Sequence, residues 1–161
     1  MITLGVTIMN EIEIIKQEEE NLIFDSFNSK DAWKIGNMLV KTAMEESKVI
    51  TICISLNRHK LFYYSFDGTS VDNDCWVRRK ENTVYYSSMS SYQLKLDLDR
   101  RKQGMTERFG LSEADYVAAG GSVPIRLKNT GVVGTITVSG MAQKDDHAYV
   151  VRIIKEFLNT K

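Results

Sequence analysis

Gly120-Gly121-Ser122-Val123-Pro124-Ile125-Arg126-Leu127, the polar break Lys128-Asn129-Thr130-Gly131, the run from Val132 to Ser139-Gly140, and Asp145-Asp146-His147 form the stretch from which the fold is read. Two β-branched runs, 122–127 and 132–139, flank a four-residue turn signal and predict a β-hairpin. Glycines at 120, 121, 131, 134 and 140 fit places where the chain reverses or another group comes too close for a Cβ. Acidic residues then open a helix over 143–159, whose apolar face is Val150, Ile153, Ile154 and Phe157.

Working outward, Ala32, Ile35, Leu39 and Ala43 recur at helical spacing and predict a helix over 30–47, with Ser29 as N-cap and Asp31 in the first turn. The run 49–56 is apolar at nearly every position and predicts a strand buried on both faces. With Leu61–Phe66 it makes a hairpin around the four-residue loop 57–60. A helix is predicted over 71–88, opened by Asp72 and Asp74, and a second starts at the S-x-x-Q box Ser90–Gln93, with Gly104 following its basic last turn. The alternation of Leu94, Leu96 and Leu98 would also suit a strand. Residues 10–20 suggest a short acidic helix and 21–27 a further strand, while 1–10 suggest a flexible arm or an extra strand. These elements predict one domain over 1–161 of α/β (α+β) class. Its five-stranded, mainly antiparallel sheet carries the 30–47 and 143–159 helices on one face and the 71–103 helices on the other.

The 161 residues carry 21 basic and 21 acidic side chains, so no broad basic field exists to hold nucleic acid or an anionic membrane. No apolar run approaches the roughly 20 residues of a membrane helix. Cys53 and Cys75 match neither a disulfide framework nor metal-ligand spacing, and are expected to be buried free thiols. Those features suggest a soluble cytoplasmic protein without a metal site.

Three constellations carry candidate chemistry. His147 follows Asp145 and Asp146 at a helix start: the aspartates cap and the histidine packs, or a His–carboxylate pair moves a proton or binds a ligand. Arg78-Arg79-Lys80 lies near Trp76 and Thr83 by helical spacing. It is a solvated basic turn, Arg78 above all, or a seat for a carboxylate or phosphate. Ser90-Ser91 caps a helix or adds donors at an anion-binding helix start. The glycines match no Walker A or G-x-G-x-x-G pattern, and His59 has no ligand partner at useful spacing.

Together, Gly120-Gly121, Pro124-Ile125, Gly131, Val133-Gly134-Thr135, Val138-Ser139-Gly140 and Asp145-Asp146-His147 resemble the haem-degrading domain family of the GlcG and HbpS type. Phe24-Asp25-Ser26-Phe27, Asp72-Asn73, Trp76, Arg79-Lys80 and Ser90-Ser91 point to its short single-domain branch of unassigned activity. The resemblance implies a profilin-like or GAF-like topology, haem or corrinoid as possible cofactors, and a homo-oligomer built from dimers. A small-molecule or cofactor-binding module is then expected, with Arg79, Lys80, Ser91, Gly121, Gly140, Asp146 and His147 lining one pocket for a small anionic ligand. The alternative is a non-enzymatic oligomeric interaction scaffold.

Overall fold

A computed structural model describes residues 2–161, with side chains from Asn10 onward. In chain order the elements are α1 (Ile2–Glu20), β1 (Ile23–Phe24), α2 (Ser29–Glu45), β2 (Thr51–Leu56), β3 (His59–Ser65), α3 (Val71–Ser87), α4 (Ser91–Arg101), α5 (Met105–Phe109), β4 (Ser122–Leu127), β5 (Gly131–Ser139) and α6 (Gln143–Asn159). They build a five-stranded sheet in the order β1-β4-β5-β2-β3, antiparallel throughout except for the β1/β4 pair. Among the described residues no helix is long and apolar enough to cross a membrane.

The two sheet faces differ in chemistry. Alternate residues Ile50, Ile52, Ile54, Val123, Ile125, Ile136 and Val138 face α2 and α6, whose Ile35, Leu39, Val150, Ile153, Ile154 and Phe157 complete one fully buried apolar cluster. The intervening residues of the central strands are Thr51, Cys53, Ser55, Ser122, Thr135, Thr137 and Ser139, all buried under a helix that itself buries Lys80, Glu81 and Thr83. Such a polar layer is stable only if its groups are bonded to each other. They are: Glu81 Oε1 accepts from Ser55 Oγ at 2.7 Å, Thr135 Oγ1 at 3.1 Å and Cys53 Sγ at 3.3 Å, and the Ser122 and Thr137 hydroxyls meet at 2.7 Å. Burial and the Glu81 charge push the Cys53 thiol up to about 12.

Several sequence expectations need correction. The stretch 1–10, expected as an arm or strand, is helical from Ile2 and continuous with α1. Only Ile23 and Phe24 of the expected 21–27 strand are paired, and they run parallel to β4. Asn28 rather than Ser29 caps α2, because its Oδ1 accepts from Lys30 N and Asp31 N while Asp31 Oδ2 accepts from Asn28 N. The β2–β3 loop has two residues, Asn57 and Arg58, both at positive φ (49° and 64°), the twist a tight hairpin requires.

The leucine alternation in 94–98 belongs to a helix buried on two sides. Leu94 and Leu98 pack with Met105, whereas Leu96 and Tyr92 pack with Ile15 of α1. Thus α4 lies mainly against α1 instead of sharing the sheet face with α3. Ser90 Oγ caps α4 by accepting from Gln93 N, but the return bond is replaced by Ser90 N donating to Glu19 Oε2 of α1. Lys102, not Gly104, takes the left-handed position that ends α4. Cys53 is buried as expected, while Cys75 is exposed.

Candidate functional site

Lys80 sits in the middle of α3 and Asp146 in the first turn of α6, on opposite sides of the last residues of β5. Lys80 Nζ donates to Asp146 Oδ2 at 3.0 Å and to Val138 O at 3.1 Å, and both side chains are no more than 3% exposed. Asp146 Oδ1 accepts from Met141 N at 3.1 Å, which pins the turn between β5 and α6. Burial pulls the Lys80 ammonium below the ordinary lysine range and raises Asp146, while each charge opposes the shift of the other.

Gly121 makes this approach possible. Its φ is 131°, and a Cβ there would lie 2.5 Å from Val138 O and 2.7 Å from Lys80 Nζ. The glycine pair singled out in the sequence thus seats a buried ammonium.

Above the ion pair opens a cavity of about 350 Å³, walled by Asp72, Asn73 and Trp76 of α3, by Ala119, by Ser139, Gly140 and Met141, and by Gln143 of α6. Asn73, Trp76 and Lys80 lie at i, i+3 and i+7, so one stripe of α3 faces it. The oxygens of the two wall amides are committed, since Asn73 Oδ1 accepts from Ser70 N and Gln143 Oε1 from Gly120 N.

The structure brings together three of the seven expected site residues, Lys80, Gly140 and Asp146, with Gly121 packed directly behind them. The other three are elsewhere. Arg79 lies over the Trp76 ring, 4.9 Å from its centroid, and lines a second cavity of about 270 Å³ beside Lys95, Asp99 and Glu113. Ser91 Oγ is buried, accepting from Ser122 N at 3.1 Å, and splices the start of α4 to the start of β4.

His147 projects to the far side of α6. It is 2% exposed, its ring centroid 5.0 Å from that of Tyr92, and it borders a third cavity with Ile15 and Val151. Neither ring nitrogen has a partner among the described residues, and burial pulls the imidazole down to about 4. The His–carboxylate pair, one of the two alternatives for His147, therefore does not form. Asp146 turns to Lys80 because one residue along a helix rotates a side chain by about 100°.

Arg78, expected to be solvated, is half exposed and pairs with Asp115 at 2.9 Å. Thr83 is structural, exchanging bonds with Val117 N and O. Sequence reasoning missed Asn73, Met141 and Gln143. Helical spacing from Lys80 would have found Asn73, but nothing in the sequence brings the start of α6 to the start of α3.

The family profile described as "Haem degrading protein HbpS-like" matches residues 27–155. A UPF0303 protein of Sinorhizobium medicae (strain WSM419) is 40% identical over 153 residues, covering 95% of this chain and 93% of that protein. Among solved structures, the Ybr137w protein superposes with a TM-score of 0.86 at 27% identity, over 92% of this chain and 88% of that one. A PduOC:haem complex shares the fold at a TM-score of 0.68 and 12% identity, over 81% and 94% of the two chains.

Proposed function

The chain belongs to the HbpS-like family of haem-degrading proteins, and we propose that it is a small-molecule-binding protein whose site is the cavity over the Lys80–Asp146 pair. The observation that carries this reading is a buried, glycine-seated ion pair at the floor of an open polar cavity. Evolving such a pair for stability alone is poorly rewarded, because desolvation offsets most of its Coulomb gain. A pocket with a few convergent polar groups and perturbed ionisable residues is the usual form of a ligand site.

Haem does not fit the residues of this cavity. Its iron takes a histidine, cysteinate, tyrosine, or methionine paired with histidine. The cavity offers the Met141 thioether alone. Both nitrogens of His147 are sealed on the other side of α6, and His59 lies exposed at the start of β3. A corrinoid cobalt seeking an imidazole meets the same lack. The full anion expected from the sequence is disfavoured as well, since one ammonium faces the carboxylates of Asp72 and Asp146.

Thermal-shift measurement across a panel of small neutral, anionic and cationic solutes tests the reading. Saturable stabilisation by some member, lost in Trp76→Leu, supports it. Stabilisation that persists unchanged in Trp76→Leu places binding elsewhere and overturns it.

A second reading, a self-assembling interaction scaffold, is favoured by β3. This edge strand has one side unpaired among the described residues. It presents Tyr64, 37% exposed, on the sheet face toward α2, where the Trp33 ring, 65% exposed, lies 6.2 Å from that of Phe62. Unblunted edges and exposed aromatic clusters are where copies of a chain meet. Sedimentation should then show a species larger than the 18.4 kDa chain, reduced by Tyr64→Lys. A monomer at micromolar concentration would exclude this reading and leave the cavity untouched.

A further inference from the structure

From the hydrogen-bonding inventory of the cavity over Lys80–Asp146, we infer that its ligand is an uncharged, flat, acceptor-rich heterocycle, a ring bearing carbonyl or imine edges. The inference rests on the proposed binding site and specifies what that site takes.

The first argument is the inventory. A backbone N–H only donates, so the bonds from Ser70 N and Gly120 N fix which end of each wall amide is oxygen. The NH₂ groups of Asn73 and Gln143 are left without a partner among the described residues. Lys80 Nζ has three hydrogens and two protein acceptors, Asp146 Oδ2 and Val138 O. The Trp76 indole N–H is a further donor with no partner among the described residues, on a residue that lines the cavity. Against these donors stands one uncommitted side-chain carboxylate, the solvent-exposed Asp72, together with the Ser139 hydroxyl, which serves either way. A ligand that satisfies such walls brings acceptors.

Charge gives the second argument. The Lys80 ammonium is matched by Asp146, and the Asp72 carboxylate is offset by the N-terminal ends of α3 and α6, each worth roughly half a positive charge. The cavity is close to neutral, so neither a carboxylate nor an ammonium gains from entering it. Both would still lose hydration.

Shape gives the third. Trp76 offers an aromatic plane at the cavity wall, and the Arg79 guanidinium stacked on it, outside the cavity, holds the indole in place. A flat ring gains about 0.5–1.5 kcal/mol from such a platform beyond its buried area.

Fluorescence titration tests the inference. Trp33→Phe in the 161-residue chain leaves Trp76 as its sole tryptophan. The probes are 1,3-dimethyluracil, which keeps two carbonyl acceptors and has no N–H, orotate, its charged relative, and benzoate. The expected result is saturable quenching by dimethyluracil and binding of both anions weaker by about ten-fold. Asn73→Asp and Gln143→Glu keep the oxygens that Ser70 N and Gly120 N use, replace the NH₂ donor by a second acceptor and add a negative charge, which leaves the Coulomb energy of an uncharged probe nearly unchanged. Each should weaken dimethyluracil by about three- to ten-fold, with the melting temperature unchanged. Tighter binding of orotate or benzoate, lost in Trp76→Leu measured by thermal shift, would overturn the ligand class and keep the site. Equal affinity of dimethyluracil for the parent and both amide variants would also overturn it. No response of Trp76 to any probe would overturn the inference, and with a negative solute panel the binding site too.

Discussion

Lys80 and Asp146 are 66 residues apart in sequence, yet their charged atoms lie 3.0 Å apart and neither side chain is more than 3% exposed. Removing one charge strands the other where water cannot reach it. Lys80→Met should therefore destabilise the fold by about 3–5 kcal/mol in urea unfolding. Combining Lys80→Met with Asp146→Asn, which retains an acceptor for Met141 N, should recover at least 1 kcal/mol, roughly the scale of coupling between contacting residues. Equal stability of Lys80→Met and the parent protein would refute the pairing.

Arg79→Met is the matched control. Among the described residues Arg79 forms no ion pair, and it stacks on Trp76. Its loss should lower stability by about 1 kcal/mol, the scale of an exposed cation–π contact. A loss as large as that of Lys80→Met would mean that the stack, and not the buried pair, organises α3.

Gly121→Ala tests the seat of the ammonium. The new methyl group meets Val138 O and Lys80 Nζ at 2.5 and 2.7 Å, and an L-residue at a φ of 131° is strained even without neighbours. A loss of about 3 kcal/mol or more is expected by thermal unfolding, together with loss of ligand-induced stabilisation. Gly131, at a φ of 112° but with nothing within 4 Å of a Cβ, provides the comparison: Gly131→Ala carries the backbone strain without the clash and should cost less than Gly121→Ala, about 1–3 kcal/mol.

Much of this arrangement was legible in the sequence. The β4–β5 hairpin and α6 followed from turn residues and periodicity, because both signals are local. The apolar face of β2 was legible too, but its Thr51, Cys53 and Ser55 alternation was submerged by strong neighbours, so the polar layer under α3 went unseen. The candidate site was half legible. Gly121, Lys80, Gly140 and Asp146 were named, but His147, Ser91 and Arg79 were joined to them because nearness in sequence stood in for direction in space. Successive helical positions point about 100° apart, which sends Asp146 and His147, and likewise Arg79 and Lys80, to different cavities.

The polar layer has its own test in Glu81, whose single Oε1 accepts from Ser55, Thr135 and Cys53. Glu81→Leu leaves two buried hydroxyls and a thiol without an acceptor, at about 1–3 kcal/mol for each hydroxyl. Adding Ser55→Ala and Thr135→Val removes the stranded groups and should restore much of the loss, since replacing all partners by apolar groups is nearly neutral. If the triple variant is no more stable than Glu81→Leu, the layer is held by packing and not by these bonds.

His147 should make stability depend on pH below neutrality. Its folded-state value is about 4 against an ordinary 6.5, because burial beside Tyr92 disfavours the charged ring. The unfolded chain thus binds a proton between those values that the folded chain refuses, and stability rises with pH across that window. The contribution is complete above about pH 6.5 and is lost as pH falls toward 4, on the order of 3 kcal/mol in all. Glu19 and Asp146, whose folded-state values are raised, act with the opposite sign, so the parent curve alone is not diagnostic. Subtracting the curve of His147→Leu isolates the histidine. The leucine variant should equal or exceed the parent at pH 7, because it removes two buried nitrogens without partners, and its advantage should grow as the pH is lowered to 5. Parallel curves from pH 7 to pH 5 would show that the ring takes up its proton in the folded state, and would overturn its assignment as a neutral packing residue.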